Sequence, residues 1–175
     1  MKKNWYAIYT KACCEKRVST LLTRRKIENY YPLNRILVSG SINKKKAIYE
    51  PLLTSFVFVH ITDIEMEVIK RTNCVINFVY WLGKPAIIQN EEILNLQHFT
   101  SEYSNVQLEK TSVNPTEAGK ITSEPLIDIN GNLVSLKNTH IKLSLPSLGY
   151  RVVAEVEKSN GDIFNKTYQR SKLFS

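Results

Sequence analysis

Residues 51–61, PLLTSFVFVHI, constrain this chain more than any other stretch. Leu52, Leu53, Phe56, Val57, Phe58 and Val59 crowd into it, broken only by Thr54 and Ser55. So short a run, rich in β-branched and aromatic residues, reads as a strand buried on at least one face. Two readings stay open. The strand is core and nothing more. Alternatively one face of it, carrying Leu53, Phe56 and Phe58, is partly exposed and docks a partner. The aromatic first strand, WYAIY at residues 5–9, favours the second.

That first strand spans Asn4–Thr10. Its alternation sets Trp5, Ala7 and Tyr9 on one face and Tyr6 and Ile8 on the other. A helix follows over residues 12–27, with Cys14, Val18, Leu21 and Leu22 as its buried stripe. Lys16, Arg17, Arg24, Arg25 and Lys26 lie elsewhere on it, and the last three suit the negative end of the helix dipole without any further role. Residues 30–38 return as a strand, with Pro32 marking an edge or a start. Ser39-Gly40-Ser41 is a turn, so residues 34–50 form a protruding hairpin with Lys44, Lys45 and Lys46 near its tip. Such a tip is either a solvated loop or a contact for a phosphate backbone.

Beyond the central strand, Thr62-Asp63-Ile64-Glu65 has capping-box spacing and predicts a short helix to about residue 71. Residues 75–82 are a strand, Gly83-Lys84-Pro85 a turn, and 90–99 a helix with Glu91 and Glu92 in its first turn. The order βα-ββ-βα-β-α predicts an α+β domain, helices on a mostly antiparallel sheet, over residues 1–105. Residues 106–116 read as a polar linker with a short extended piece at 106–108. Strands at 119–123, 133–137, 140–145 and 151–156, separated by turn residues such as Asn130-Gly131, predict a small β-barrel over 117–160, with 161–175 as a tail.

The chain has 175 residues, which suits one ordinary domain or two small ones. No apolar run reaches the roughly 18 residues that span a bilayer. Lys11 follows too soon for a signal-peptide apolar segment, so a soluble cytoplasmic protein is expected. Cys13, Cys14 and Cys74 are odd in number and lack C-x-x-C spacing, and are expected as small buried thiols. The net charge is +8. Residues 1–105 carry 15 Lys and Arg against 9 Asp and Glu, and residues 106–175 carry 9 against 7, so the basic excess belongs to the first part. It favours a nucleic-acid neighbour. His60, His98 and His140 fall in separate elements, and no G-x-S-x-G, Gly-rich phosphate loop or H-E-x-x-H occurs. The expectation is a non-enzymatic binding module with no catalytic residue, metal or cofactor.

Three stretches together resemble the NusG family of transcription elongation factors. They are Trp5 to Lys11 with the following Glu15-Lys16-Arg17-Val18; Pro51-Leu52-Leu53 leading into Phe56-Val57-Phe58-Val59; and residues 121–134, which resemble a KOW motif with its turn at Gly131. Residues 75–86 resemble the family's fourth strand and the turn after it. Within the family, TSEPL at 122–126 and LPSLGYRVVAEV at 145–156 are most similar to the UpxY antiterminators of surface-polysaccharide operons, close to RfaH. Four departures stand out. Thr54 and Ser55 replace a usual Pro-Gly or Pro-Asn, Leu53 replaces a common Phe, Asn73 stands where RfaH has an Arg, and Glu124 replaces a usual KOW Gly.

The resemblance implies an NGN-type domain joined to a KOW-like barrel, here expected to be β. It implies an elongation and antitermination factor that holds the clamp helices of the largest RNA polymerase subunit through Tyr9, Leu53, Phe56 and Phe58. It also implies contact of Trp5, Lys11, Arg17 and Thr72 with the non-template DNA strand, with Lys44, Lys45 and Lys46 nearby. A monomer, and a barrel that binds Rho or a ribosomal protein, complete the expectation. The rival is a ribosome-associated or RNA-binding KOW protein with no polymerase role.

Overall fold

The computed structural model describes residues 2–40, 45–110, 121–127 and 133–157. Its central sheet takes in strands β1 (Asn4–Thr10), β2 (Glu28–Tyr30), β5 (Phe56–Ile61), β6 (Val75–Phe78) and β9 (Ile87–Ile88). The order is β2-β5-β1-β6, with β9 also on β1, and every pairing is antiparallel. β1 and β5 register as Trp5↔His60, Ala7↔Phe58 and Tyr9↔Phe56. The period of two then sorts both strands into two apolar faces. Tyr6, Ile8, Val57, Val59 and Ile61 pack with Val18 and Leu22 of helix α1 (Glu15–Arg24) and with Ile69 of α2 (Met66–Lys70). Trp5, Ala7 and Phe58 face the other way, toward Ile93, Leu96 and Phe99 of α3 (Asn90–Glu102). The central strand is therefore covered on both faces.

Helix α1 is shorter than the predicted 12–27. Cys13 and Lys26 both take left-handed backbone, φ 58° and 59°, and stop it at either end. Lys26 N–H donates to Thr23 O at 2.9 Å and Ile27 N–H to Leu22 O at 3.0 Å, the paired bonds of a Schellman stop with a lysine where glycine is usual. The capping box forms as predicted. Thr62 N–H donates to the Glu65 carboxylate at 2.8 Å and opens a 3₁₀ turn, Asp63–Glu65, that runs into α2.

The predicted strand at 30–38 is two strands. β2 ends before Pro32, and β3 (Leu33–Ser39) pairs instead with β4 (Lys45–Pro51), from Leu33↔Pro51 to Ser39↔Lys45. This is the expected hairpin. Lys44 lies outside the described residues. The hairpin is latched at its base to the segment after α3. Asn34 Nδ2 donates to Val106 O at 2.8 Å, Val106 N–H returns to Asn34 Oδ1 at 3.0 Å, and Arg35 Nε donates to Ser104 Oγ at 2.7 Å.

The predicted strand at 75–82 also breaks, into β6 and the two-residue β7 (Tyr80–Trp81), which pairs with β8 (Lys84–Pro85). The turn falls at Leu82 and Gly83, φ 48° and 77°, rather than at 83–85. Positive φ at both centres is what a two-residue hairpin tip requires.

Beyond α3 a second sheet forms in the order β10-β13-β12-β11, all antiparallel. Its strands are β10 (Gln107–Lys110), β11 (Ile121–Ile127), β12 (Leu133–Leu145) and β13 (Tyr150–Glu157). β10 lies inside the expected linker. The two strands expected at 133–137 and 140–145 are one, because no Gly or Pro interrupts the ladder. The described residues make an open four-stranded sheet where a small barrel was expected; Asn130 and Gly131 lie outside them. Ile141, Leu143, Leu145, Val152 and Ala154 of this sheet share one apolar core with Trp5, Leu53 and Phe58 of the first.

Candidate functional site

The site begins with a turn. Residues 52–55 carry the chain from β4 into β5, and Ser55 sits there in left-handed backbone, φ 65°. Two hydrogen bonds hold it. Thr10 N–H donates to Ser55 O at 2.8 Å, and Ser55 N–H donates to Glu15 Oε1 at 2.6 Å. Glu15 is buried, and its carboxylate satisfies an amide that the turn would otherwise leave without a partner. The pinned turn delivers Phe56 beside Tyr9, ring centroids 4.7 Å apart and tilted by 54°. Tyr9 is 39% exposed and Phe56 half-buried.

The other two members of the expected patch lie deeper. Leu53 is 3% exposed and Phe58 fully buried, in the core shared with the second sheet. Of the strand face expected to be partly exposed, only Phe56 reaches the surface. Tyr9 and Phe56 form an aromatic edge, and Leu53 and Phe58 lie inside the layer behind it.

A polar contact joins α3 to the second sheet's turn. Ser147 Oγ donates to Glu92 Oε1 at 2.6 Å. Glu92 is buried, and its Oε2 has no hydrogen-bond partner among the described residues. Burial pushes this carboxyl above the ordinary range, with the Ser147 bonds partly opposing the shift.

The expected nucleic-acid residues divide in the same way. Lys11 and Arg17 are exposed near the N-terminus of α1. Lys45 and Lys46 are exposed on β4. Trp5 is buried. Its indole N–H reaches Asn90 Oδ1 at 3.2 Å and its ring stacks on His60 at 4.9 Å, so no base can lie on it in this arrangement. Thr72 is buried too, its Oγ1 donating to Val68 O and accepting from Arg25 Nη1, each at 2.9 Å. Arg25, read from the sequence only as a dipole partner, is thereby fixed over the turn that carries Thr72.

Sequence reasoning passes over Glu15 and Glu92. Glu15 carries a signal, since it precedes Val18 by three and Leu22 by seven and so lies on the apolar stripe. Glu92 carries the same signal, since it precedes Leu96 by four and Phe99 by seven. Among the described residues no group of three or more His, Cys, Asp and Glu could hold a metal ion, and no helix is long and apolar enough to cross a membrane.

A family model described as "Transcription termination factor nusG" matches residues 3–97, from the start of β1 into α3. No curated protein matches the chain. A solved structure described as "Domain interaction in Thermotoga maritima NusG" is 15% identical, covers 90% of this chain and 94% of that one, and has a TM-score of 0.46. The family match alone covers more than half of the 175 residues, and with it the pinned turn, the Tyr9–Phe56 pair and the exposed cations of α1. This chain belongs to the NusG family of transcription factors.

Proposed function

We propose that this NusG-family protein is a non-enzymatic elongation and antitermination factor that binds the clamp helices of the largest RNA polymerase subunit. The contact surface is Tyr9 and Phe56 at its edge, with Leu53 and Phe58 behind them. The observation that supports it best is the Tyr9–Phe56 pair, two aromatic rings held at the surface by a turn that Glu15 pins from beneath. Large aromatics on a rigid support are the usual anchors of an interface.

Docking through all four residues requires the core that buries Leu53 and Phe58, shared by α3 and the second sheet, to open. Polymerase would then select the uncovered state, a population shift set by its greater affinity for that state. The second sheet, read as a KOW-like domain, would be free for Rho or a ribosomal protein. The non-template DNA strand would run past Lys11, Arg17 and the Lys44–Lys46 hairpin, while Trp5 and Thr72 support that edge from within. The protein acts in the cytoplasm as a monomer, without cofactor, on surface-polysaccharide or other long operons in the manner of UpxY antiterminators.

The test is a titration of the cognate RNA polymerase with Tyr9→Ala and Phe56→Ala variants whose circular dichroism matches the parent. Each should lose at least about tenfold in affinity, the scale of an aromatic anchor. Parental affinity in both would rule out this surface.

A further inference from the structure

We propose that Cys14 and Cys74 form a reversible intramolecular disulfide, which makes the corner between α1 and β6 a site of redox modification. Two segments far apart in sequence meet there through a backbone bond, Lys11 N–H donating to Cys74 O at 2.9 Å, and Cys14 follows in a turn closed by its own N–H donating to Lys11 O at 3.1 Å. The Cys14 thiol lies close enough to Cys74 to feel it electrostatically, and the Cys74 thiol donates to Asn73 Oδ1 at 3.6 Å. Both side chains belong to the same apolar cluster, with Val18 and Val75. Cys14 is half-buried and Cys74 buried, so a reagent reaches Cys14 first and Cys74 is placed to resolve the product. Cys13 is exposed and lies outside that cluster, on a left-handed backbone that separates it from its neighbour.

The oxidant is a low-molecular-weight disulfide such as oxidised glutathione. The Cys14 thiolate attacks one of its sulfurs, a mixed disulfide forms at Cys14, and a small thiolate leaves and takes up the proton Cys14 gave up. Cys74, as thiolate, then attacks the Cys14 sulfur. The Cys14–Cys74 bond forms, the mixed disulfide breaks, and the second small thiol leaves with the proton from Cys74. Two protein thiols are oxidised to one disulfide while one small disulfide is reduced to two thiols.

The reaction is slow near neutral pH. The nearby Cys74 thiol raises the Cys14 pKa, burial and the Glu15 charge add to this, and Arg17 opposes it. Thiolate is scarce, and exchange speeds up as pH rises. The bond would tie the start of α1 to the turn after Thr72, between the exposed Lys11 and Arg17. It does not depend on what those cations bind.

The whole chain is equilibrated over a series of oxidised-to-reduced glutathione ratios, quenched in acid, alkylated and mapped by mass spectrometry. The expected result is one cross-linked peptide pair, Cys14 with Cys74, with Cys13 alkylated and the native circular dichroism kept. Dithiothreitol should reverse it. Cys13→Ser should retain the cross-link, and Cys14→Ser and Cys74→Ser should each abolish it. Three alkylated cysteines at the most oxidising ratio, a mixed disulfide that never resolves, a cross-link through Cys13, or one that appears only with loss of the native spectrum would each overturn the proposal.

Discussion

Ser55 shows how one residue's backbone sets up a surface. It stands where the resemblance to the family implies a Gly or Asn before the aromatic, and it takes left-handed backbone at φ 65°. A side chain there costs about 1 kcal/mol, and the Glu15 carboxylate offsets it by accepting the Ser55 amide. Ser55→Gly should therefore raise stability, by up to about 1 kcal/mol. Glu15→Ala should lower it by about 2 kcal/mol, since a buried amide loses a charged acceptor. Urea denaturation of both variants checks this; equal stability in Glu15→Ala would mean the turn holds itself. Glu92 makes the opposite case. Its folded pKa is raised by burial, so it stabilises the fold in acid, and that contribution disappears as pH rises from about 4.5 through the raised value. Glu92→Gln should flatten that part of the pH–stability curve and leave the protein more stable than the parent at neutral pH. Neither carboxylate could be assigned from the sequence. A charged residue on an apolar stripe announces an exception, but its partner, Ser55 or Ser147, lies 40 or 55 positions away.

At the scale of elements, local patterns are legible. The alternation in residues 4–10 gives both faces of β1, and Thr62 with Glu65 forms the capping box their spacing implies. The split of residues 30–38 falls at Pro32, but other differences fall where a backbone breaks without a Gly or Pro to mark it. Cys13 and Lys26 shorten α1, and Leu82 takes half of a turn expected at its neighbours. β10 escapes for another reason: Gln107–Lys110 is polar along an edge, with Leu108 alone turned toward the core, so it carries no alternation. The β3–β4 hairpin is legible, but not its latch. Asn34 exchanges two hydrogen bonds with Val106, and Asn34→Ala should release the hairpin base. Faster amide exchange across residues 33–51 would show it, and unchanged protection would mean that the strand ladder suffices. Replacing Lys45 and Lys46 with Ala should weaken binding to single-stranded DNA and reduce its salt slope by about 1.4, at roughly 0.7 for each phosphate no longer neutralised. An unchanged slope would leave the hairpin a solvated loop.

At the scale of the whole molecule, the main lesson is that an apolar face does not name its cover. Residues 51–61 announce a buried strand, and both faces are indeed filled, yet nothing in them tells α3 or a second sheet from an external partner. The core that buries Leu53 and Phe58 takes in α3 and, farther on in the chain, β12 and β13. If polymerase needs those side chains, loosening the cover should strengthen binding. Ile141→Asp puts a charge into the shared core and should raise the affinity for polymerase, provided the first domain keeps its fold by circular dichroism. The most direct test of a role in elongation is single-round transcription by the cognate polymerase on a template from the neighbouring operon, with the parent protein and with Phe56→Ala. The prediction is fewer pauses and more read-through with the parent, and loss of both with Phe56→Ala. Unchanged pausing on every template, with no polymerase bound, would contradict it and return Tyr9 and Phe56 to the edge of an ordinary core.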